Sequence, residues 1–390
     1  MLVLHIIINL NSNGAELMLK RLISAQAPKG KYRHEVISLM SLGSVGPMLR
    51  EMGIPVEALG MRSPIGAASV LIKLIREIRR RRPDIVHTWM YHSDLLGGIA
   101  AKIVGVKRVI WAVRIADISR EMGIPNSTKW IRSLCARLSA RIPSRIVYVA
   151  HSARAVHEAL GYDPAKGTVI PNGYEIPRLA PRGALKAELN LPEESILIGS
   201  AGRFDPQKDP KSFVAAAAAL AGRHPALHFV MIGLGNSPDN RELMGWIGET
   251  GFGDRFHLLG RRRDIATCLG GMDILCLHSI GEGFPNVVAE AMAVATPCVV
   301  TDVGDSAFLV GDTGLVVPAS DHARLADALE ELVNAGPERR RKLGAMARDR
   351  VARHFSIDVI SDRYSELYDQ VAAGETTVAN AAGAETAKII

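Results

Sequence analysis

Short apolar runs alternate with amphipathic stretches along most of this chain. Runs typical of buried strands lie near residues 3–8, 34–39, 54–58, 84–88, 108–112, 146–150 and 168–171, and again near 196–200, 227–232, 255–258, 273–277, 297–300 and 315–317. Apolar residues at helical spacing separate the second set, near 210–222, 239–250, 285–295 and 321–335. Strands that alternate with helices predict parallel sheets covered on both faces, so the predicted fold class is α/β.

A break in this alternation indicates two domains. From Pro171-Asn172-Gly173 to about residue 190 the pattern is less regular and rich in proline, as expected of a linker. We therefore predict one domain over 1–175 and a second over 176–356, which suits a chain of 390 residues. A last helix is predicted at about 357–372, and the Ala-, Gly- and Thr-rich segment 373–390 is predicted to be disordered. Two Rossmann-like parallel-sheet domains would face each other across a cleft, where small ligands bind.

Composition argues against secreted disulfide-rich and membrane-spanning proteins. Hydrophobic residues make up 48% of the chain and charged residues 22%, as in soluble globular proteins. The four cysteines, Cys135, Cys268, Cys276 and Cys298, lie in apolar stretches without C-x-x-C spacing, which indicates core thiols of a reducing compartment. The N-terminal run 1–8 lacks a basic leader and a cleavage site, and no run of about 18 apolar residues occurs. We expect a cytoplasmic protein.

The net charge of +7 is divided unequally along the chain. Residues 1–180 hold 26 Lys and Arg against 12 Asp and Glu, and the remainder holds 21 against 28. Two segments of the basic half, 70–82 and 130–145, combine arginines with apolar residues at helical spacing. Each segment either packs its apolar stripe on a sheet and solvates its arginines, or binds anionic lipid head groups. Nucleic acid is disfavoured, because aromatic residues are only 5% of the chain and no recognition module is visible.

The segment 281–290 couples a glycine-flanked loop to a predicted helix start. Its two glycines allow close approach to a ligand, and the amides of the helix that opens near Pro285 can bind a diphosphate. Glu282 and Glu290 suit paired hydroxyl groups, one pair on a sugar and one on a ribose. An ordinary surface helix would also explain a lone pair of glutamates. Here, however, the loop follows the apolar run 274–277, as a ligand loop at the carboxyl end of a parallel strand does.

Three further loops follow predicted strands. Gly14 and Ala15 open a helix that could face a phosphate, although the full G-x-G-x-x-G pattern of NAD-binding domains is missing. Arg203 and Lys208 lie in a loop beginning near Gly202, where two cations could neutralise a diphosphate. Two more turns, with Gly233 and Arg262, could line a nucleobase pocket. A salt-bridged surface loop is the alternative for the two cations, and tight strand-to-helix turns are the alternative for the last two.

Together these motifs resemble the retaining glycosyltransferases of family GT4, which have the two-domain GT-B fold. The resemblance covers nearly the whole chain. It rests on Gly14-Ala15-Glu16, Pro83 to His87, Ile170 to Gly173, the Gly202-Arg203 and Gln207-Lys208 pairs, and Glu282 to Glu290. It implies that the second domain holds a nucleotide-diphosphate sugar, that the first holds the acceptor, and that the last helix returns to the first domain.

The resemblance also assigns roles to single residues. Arg203 and Lys208 would bind the diphosphate, and Glu282 the hydroxyl groups of the donor sugar, which makes these three the expected catalytic residues. Glu290 would contact the ribose. The other expected donor-binding residues are Gly14, Ala15, Gly202, Gly233, Arg262, Gly283, Phe284, Pro285 and Asn286. No metal or other cofactor is expected, because two cations and a helix N-terminus would offset the charge that Mg²⁺ offsets in other transferases.

The acceptor side departs from the family pattern. Many relatives have a histidine in the loop after the strand 109–113, where this chain has Arg114-Ile115-Ala116-Asp117. Arg114 could donate hydrogen bonds or bind an acceptor phosphate, but it cannot act as a general base because it stays protonated. His92 and Arg114 are the expected acceptor-binding residues, whereas His87, in an apolar strand, is predicted to be structural.

The resulting expectation is transfer of a hexose or N-acetylhexosamine with retained configuration. The donor would be a nucleotide-diphosphate sugar, with UDP favoured over GDP, and the acceptor would be lipid-linked, a glycolipid or a polysaccharide. The basic first domain would bind peripherally at the inner face of the plasma membrane. Two alternatives stay open, a transferase for a small soluble acceptor and a non-catalytic protein that binds sugar nucleotides.

Overall fold

The chain divides into two compact units, which are described separately. The computed structural model describes residues 1–62, 66–115, 126–181 and 183–375. Unit 1 comprises Met1–Gly173 and the described chain from Ile357 onward, and unit 2 comprises Tyr174–Ser356. The division therefore falls two residues before the boundary expected at 175/176.

Unit 1 is built on a parallel sheet. Its strands are β1 (Leu2–Ile7), β2 (Arg33–Ser38), β3 (Val56–Ala58), β4 (Ile85–Trp89), β5 (Val109–Val113), β6 (Arg145–Tyr148) and β7 (Gly167–Val169), and its first helices are α1 (Gly14–Gln26), α2 (Val45–Glu51), α3 (Ala67–Arg81), α4 (Tyr91–Val104), α5 (Asn126–Ser139) and α6 (His151–Ala159). Within the described residues the strand order is β3-β2-β1-β4-β5-β6-β7. The apolar runs became strands because both faces of the sheet are covered, and β1, β4, β5 and β6 are buried throughout.

Unit 2 repeats the same architecture. Its strands are β8 (Ile196–Ala201), β9 (Leu227–Ile232), β10 (Phe256–Gly260), β11 (Ile274–Leu277), β12 (Cys298–Thr301) and β13 (Leu315–Val317), and its helices are α7 (Ala184–Glu188), α8 (Pro210–Ala221), α9 (Arg241–Glu249), α10 (Ile265–Gly271), α11 (Asn286–Ala293), α12 (Ser306–Val310), α13 (His322–Asn334) and α14 (Gly336–His354). The described strands are parallel, in the order β10-β9-β8-β11-β12-β13. The predicted α/β class with two parallel sheets is confirmed.

The last helix, α15 (Ile357–Ala373), packs into the core of unit 1. Its Tyr364 and Tyr368 are fully buried. The Gln26 side chain donates a hydrogen bond of 3.1 Å to the Ser361 carbonyl, so α15 is also held to α1 by polar contacts. The tail expected at 373–390 lies outside the described residues from residue 376 onward.

The first predicted basic helix is present as α3, and it directs one arginine inward. The Arg81 side chain is 8% exposed and forms ion pairs with Glu35, Glu57 and Glu77. Because three carboxylates surround this guanidinium group, its charge is offset within unit 1.

The second predicted basic helix was placed too far along the chain. Helix α5 ends at Ser139, and Arg145 instead begins β6, where it is 2% exposed. Trp130, the first apolar residue of the predicted segment, is 66% exposed and so does not pack on the sheet. The buried face consists of Cys135 and Ala136 with Ser139, because these small side chains let α5 lie close to α4.

The predicted linker is partly incorporated into unit 2. Residues 184–188 form α7, and Leu185 on it is 1% exposed. This leucine packs so closely against α10 that a Cβ at Gly271 would lie 2.6 Å from the leucine Cβ. Among the described residues, no helix has both the length and the apolar character needed to cross a membrane. All four cysteines are buried and free, as predicted.

Candidate functional site

The most polar loops of unit 2 meet where the strand order reverses. Strand β8 lies between β9 and β11, so the chain leaves β8 toward one side and reaches β11 on the other. Loops at such a point diverge and leave a crevice at the carboxyl edge of the sheet. Here the crevice is a small cavity lined by Gly202, Arg203, Lys208 and Ser279, among others. The structure thus brings three of the predicted site residues together.

Lys208 and Glu282 form the closest contact at this edge. The Lys208 Nζ lies 2.5 Å from Glu282 Oε1, and the Ser279 hydroxyl donates to the same oxygen at 2.6 Å. The two loops are further joined by main-chain groups, because the Gln207 amide side chain donates to the Gly281 carbonyl at 2.8 Å and the Ile280 N–H donates to the Gln207 carbonyl at 2.9 Å. A cation and a carboxylate 74 residues apart in sequence are thereby fixed side by side.

Arg203 is more exposed than Lys208. Its side chain is 61% exposed and its Nε lies 3.2 Å from Asp205 Oδ2. The loop beneath it requires glycine, since Gly233 has a φ of 134° and a Cβ there would lie 1.8 Å from the Gly202 carbonyl oxygen. The two glycines thus let neighbouring loops touch through their main chains, and Arg203 projects from this contact toward solvent.

The predicted helix after the Glu282 loop begins one residue later than expected. Pro285 occupies the N-cap position of α11 rather than its first turn. Glu290 is half-buried on α11, and Glu282 is half-buried on the preceding loop. The loop is supported from α12, whose Asp305 N–H donates to the Gly283 carbonyl at 2.9 Å.

Two predicted donor-binding residues are held by neighbouring aromatic groups. Phe284 is 5% exposed and packs between the rings of Tyr174 and Phe355. The Asn286 side chain accepts a hydrogen bond of 2.7 Å from the Tyr174 hydroxyl. These contacts fix the start of α11, and the Phe284 side chain serves the core rather than the surface of the crevice.

Arg262 is not among the residues that line this crevice. It follows the edge strand β10, and its guanidinium group donates to both Glu188 and Asp264. Arg262 is therefore ion-paired in the turn between β10 and α10. Its pairing with Glu188 could not be foreseen, because the two residues are 74 positions apart.

Sequence reasoning missed His278, which ends the apolar run of β11. Its ring is 5% exposed, its Nε2 lies 2.6 Å from the Ser200 hydroxyl, and its Nδ1 lies 3.0 Å from the Asp209 carbonyl. Burial lowers the pKa of His278 to about 4, so the ring is neutral near pH 7. The signal was a polar residue directly after Cys276-Leu277 at a strand end. His278 therefore links β8, β11 and the Lys208 turn, and it supports the crevice from below.

The carboxyl edge of unit 1 holds the remaining predicted residues. Gly14 and Ala15 are the first residues of α1, which follows the loop after β1. His92 is the second residue of α4 and is half-buried, and burial lowers its pKa. His87 is fully buried and its Nδ1 lies 2.9 Å from the Tyr368 hydroxyl, which fits the predicted structural role. Beside them Asp94 is fully buried, and burial raises the pKa of its carboxyl group to about 7.

Arg114 is anchored inside unit 1. Its guanidinium group donates to the Ile170 carbonyl and the Tyr364 hydroxyl, both at 3.1 Å, and to the Asn172 side chain. It also lies over the Trp89 ring, 5.8 Å from the centroid. Arg114 therefore ties β5 to α15 and to the segment after β7. The following Ala116 and Asp117 lie outside the described residues.

Among the described residues, no three His, Cys, Asp or Glu side chains are grouped as ligands of a metal ion. The charged groups at the crevice of unit 2 are instead Arg203, Lys208 and Glu282, with Asp205 at its margin. These cations can hold the phosphate groups of a ligand.

Comparison with known sequences gives the same two-part division. Residues 181–350 match the family described as glycosyl transferases group 1, and residues 12–178 match glycosyltransferase family 4. The Escherichia coli UDP-Gal:alpha-D-GlcNAc-diphosphoundecaprenol alpha-1,3-galactosyltransferase is 28% identical over 76% of this chain and 78% of its own length. A D-inositol 3-phosphate glycosyltransferase of Saccharomonospora viridis is 32% identical over 74% of this chain and 70% of its own.

Solved structures agree on the fold. Anabaena Alr3699/HepE in complex with UDP superposes with a TM-score of 0.83 over 95% of this chain and 100% of that one, at 20% identity. The lipopolysaccharide outer core galactosyltransferase WaaB, in its apo form, gives a TM-score of 0.70 over 95% of this chain and 100% of its own, at 14% identity.

Proposed function

The chain belongs to glycosyltransferase family 4, and from this premise we propose that it is a retaining enzyme that moves a hexose or N-acetylhexosamine from a nucleotide-diphosphate sugar to a phosphorylated, lipid-linked acceptor. UDP is the proposed nucleotide rather than GDP. The name of the E. coli relative contains both a UDP-sugar and a diphosphoundecaprenol acceptor, which supports each part. Several other relatives are named for D-inositol 3-phosphate, so a phosphate group on the acceptor recurs among them.

The observation that carries the proposal is the contact of Lys208 with Glu282 at the reversal point of unit 2. A nucleotide-diphosphate sugar needs cations at its phosphates and hydrogen-bond acceptors at its hydroxyl groups. Lys208 and the exposed Arg203 supply the cations, and Glu282 supplies the acceptor at 2.5 Å from Lys208 Nζ. Glu290 on α11 would take the ribose hydroxyl groups.

The mechanism follows from where charge develops. As the anomeric bond lengthens, the sugar becomes cationic and the departing diphosphate becomes more negative. Lys208, Arg203 and the first amides of α11 would then stabilise the transition state more than the bound substrate. We propose that the departing phosphate oxygen takes the proton of the acceptor hydroxyl, which attacks from the same face. Two cations at the diphosphate would make a divalent metal unnecessary, so activity should survive chelation by EDTA.

The proposed acceptor carries a phosphate group. Unit 1 carries most of the basic charge, which favours a phosphorylated acceptor and a position at the inner face of the plasma membrane. A small soluble acceptor is the second candidate, because the relative at 32% identity is named for one. Transfer assays with an undecaprenyl-diphosphate sugar and with an inositol phosphate, side by side, separate these two candidates.

Thermal unfolding with nucleotide sugars tests the donor assignment. A ligand at 100 times its Kd stabilises the native state by about 2.7 kcal/mol, so UDP-glucose, UDP-galactose or UDP-N-acetylglucosamine should raise the Tm by several degrees. The Lys208→Ala variant should lose this rise, whereas Lys211→Ala, which removes an exposed lysine three residues away, should keep it. An equal rise in both variants would remove Lys208 from the donor site.

A further inference from the structure

A basic cavity lies at the edge of the unit 1 sheet that is opposite its carboxyl edge. A cavity of about 970 Å³ opens there beside the residues that precede β4, β5, β6 and β7. Because the strands are parallel, these residues mark the amino edge of the sheet. A five-residue strand separates the two edges by about 16 Å, so the cavity is distinct from the carboxyl edge that holds His92 and Arg114.

The lining of this cavity has a strong excess of positive charge. Eight of its residues are lysine or arginine, and two, Asp84 and Glu375, carry carboxylates. The Asp84 carboxylate already accepts a hydrogen bond of 2.7 Å from the Leu2 N–H. Eight like charges around one concavity, against two carboxylates in its lining, produce a net positive potential.

Most of these cations have no ionic partner in unit 1. In the part of the chain that the structure describes, no ion pair involves Arg79, Arg82, Lys102, Lys107 or Arg141. Arg81 of the same region shows the contrast, since three carboxylates surround it. The cavity therefore gathers five cations that have no ion pair among the described residues.

The inner wall is formed by cations that main-chain carbonyl groups hold in place. Lys166 donates to the carbonyl groups of Ser139 and Ala140, at 3.1 and 2.6 Å, and Arg145 donates to the carbonyl group of Ser144. Arg108 donates to the Ala372 carbonyl group. Burial lowers the pKa of Lys166. Attraction to Asp163 opposes this lowering, and repulsion from Lys102 and Arg145 adds to it. Carbonyl groups thus orient these side chains, and the Asp163 carboxylate lies 4.0 Å from the Lys166 Nζ.

We propose that this cavity binds a compact anion with two or more phosphate groups. Cations from the end of α3, from α4, from the turns before β5 and β6 and from the turn before β7 converge on it, which suits several closely spaced negative charges. None of the lining residues is aromatic, so the cavity lacks the stacking surfaces that bind the bases of single-stranded nucleic acid. The anion is either a free diphosphate or the phosphate-rich head group of a lipid.

Calorimetric titration with inorganic pyrophosphate tests the site. The titrations use an Arg203→Ala/Lys208→Ala background, so that the diphosphate site proposed in unit 2 does not contribute heat. Into this background we introduce either Arg79→Glu/Lys102→Glu, which reverses two lining charges, or Arg76→Glu/Arg137→Glu, which reverses two exposed charges outside the cavity. Both pairs change the net charge equally, and Arg76 lies on the same helix as Arg79.

The site predicts unequal losses. The lining pair should weaken pyrophosphate binding by about tenfold or more, and the outside pair by about twofold or less. Equal losses in the two variants, or no binding of pyrophosphate to the background protein, would overturn the proposal. Unchanged thermal unfolding of both variants confirms that any loss concerns binding, since all four residues are exposed.

Vesicle flotation distinguishes the two sources of phosphate. If the occupant is a lipid head group, vesicles of phosphatidylcholine with cardiolipin should bind the background protein, bind the lining variant weakly, and release the background protein when pyrophosphate is added. If the occupant is a free diphosphate, the lining and outside variants should bind these vesicles equally while pyrophosphate binding differs between them. Either pattern supports the anion site and names its source.

Discussion

Units 1 and 2 share a strand order, but the cations proposed to bind ligands lie at opposite edges of their sheets. In each unit the first strand lies between the second and the fourth, so each has a reversal point at its carboxyl edge. In unit 2 this edge holds Lys208 and Glu282 in contact. In unit 1 Arg114, at the carboxyl edge, is bonded within the unit, and five cations without ion pairs in the described residues line the amino edge.

The fold determines where loops meet, whereas the loop residues determine what can bind there. Both units could hold an anion at the reversal point, yet only the loops of unit 2 place exposed cations there within the described residues. Unit 1 instead buries histidine and aromatic side chains behind its carboxyl edge, including His5, His87 and Trp89.

Acidification should have the largest effect, because it should lower the stability of unit 1 more than that of unit 2. Unit 1 buries His5, His34, His87 and His157, whereas in unit 2 His278 is the buried histidine among the described residues. Burial lowers the pKa of His34 and His157 to about 4 and those of His5 and His87 well below 6.5. Between the folded-state pKa of each ring and 6.5 the unfolded chain binds more protons, so the free energy of unfolding falls as pH falls, by about 2 kcal/mol each for His34 and His157 at pH 5.

Urea unfolding at pH 7 and pH 5 measures this difference in stability between the units. In a Trp246→Phe variant the three remaining tryptophans, Trp89, Trp111 and Trp130, all report on unit 1. At pH 5 their fluorescence transition should precede the far-UV circular dichroism transition of the whole chain. A fluorescence midpoint that does not move between pH 7 and pH 5 would show that the buried histidines do not weaken unit 1.

Removal of Lys208 should have the next largest effect. The Lys208→Ala variant should lower kcat by about 10²- to 10³-fold, because it loses a cation aimed at the leaving group. The matched variant Lys211→Ala should retain kcat, since that lysine is exposed on α8 beyond the crevice. Steady-state transfer assays with one UDP-sugar and one acceptor provide the comparison, and full activity of Lys208→Ala would show that Lys208 does not act on the leaving group.

A smaller effect should distinguish the neutralised from the unneutralised arginines of unit 1. Arg81→Met leaves Glu35, Glu57 and Glu77 without their shared cation and should lower the free energy of unfolding by about 2–3 kcal/mol. Arg79→Met, two residues earlier and exposed, should change it by about 0.5 kcal/mol or less. Chemical denaturation of both variants checks the difference. Equal losses of the free energy of unfolding would mean that the three ion pairs of Arg81 stabilise unit 1 no more than an exposed arginine does.

Periodicity predicted the sheets well because both faces of every central strand are covered, which leaves long apolar runs in the sequence. It failed where burial depends on partners elsewhere in the chain. Helix α14 was missed because its buried face, which includes Leu343, Ala347 and Val351, is narrow and surrounded by arginines. Even Arg340 is buried there, since its guanidinium group bonds the carbonyl groups that end α13.

The candidate site, too, could be predicted only in part, because its contacts join distant parts of the chain. The loops after strands could be recognised from glycines and charges, and Gly202, Arg203 and Lys208 do line one crevice. The pairing of Lys208 with Glu282, and of Arg262 with Glu188, spans 74 residues in each case. Sequence spacing cannot reveal such contacts, because the order of the strands in the sheet brings the two residues of each pair together.

Hydrogen exchange with and without UDP tests most directly whether the carboxyl edge of unit 2 holds the nucleotide. Saturating UDP should slow exchange in the segments 200–210 and 278–290, which contain the Lys208 turn and the start of α11. Protection confined to unit 1, or none in either segment of unit 2, would contradict the donor site.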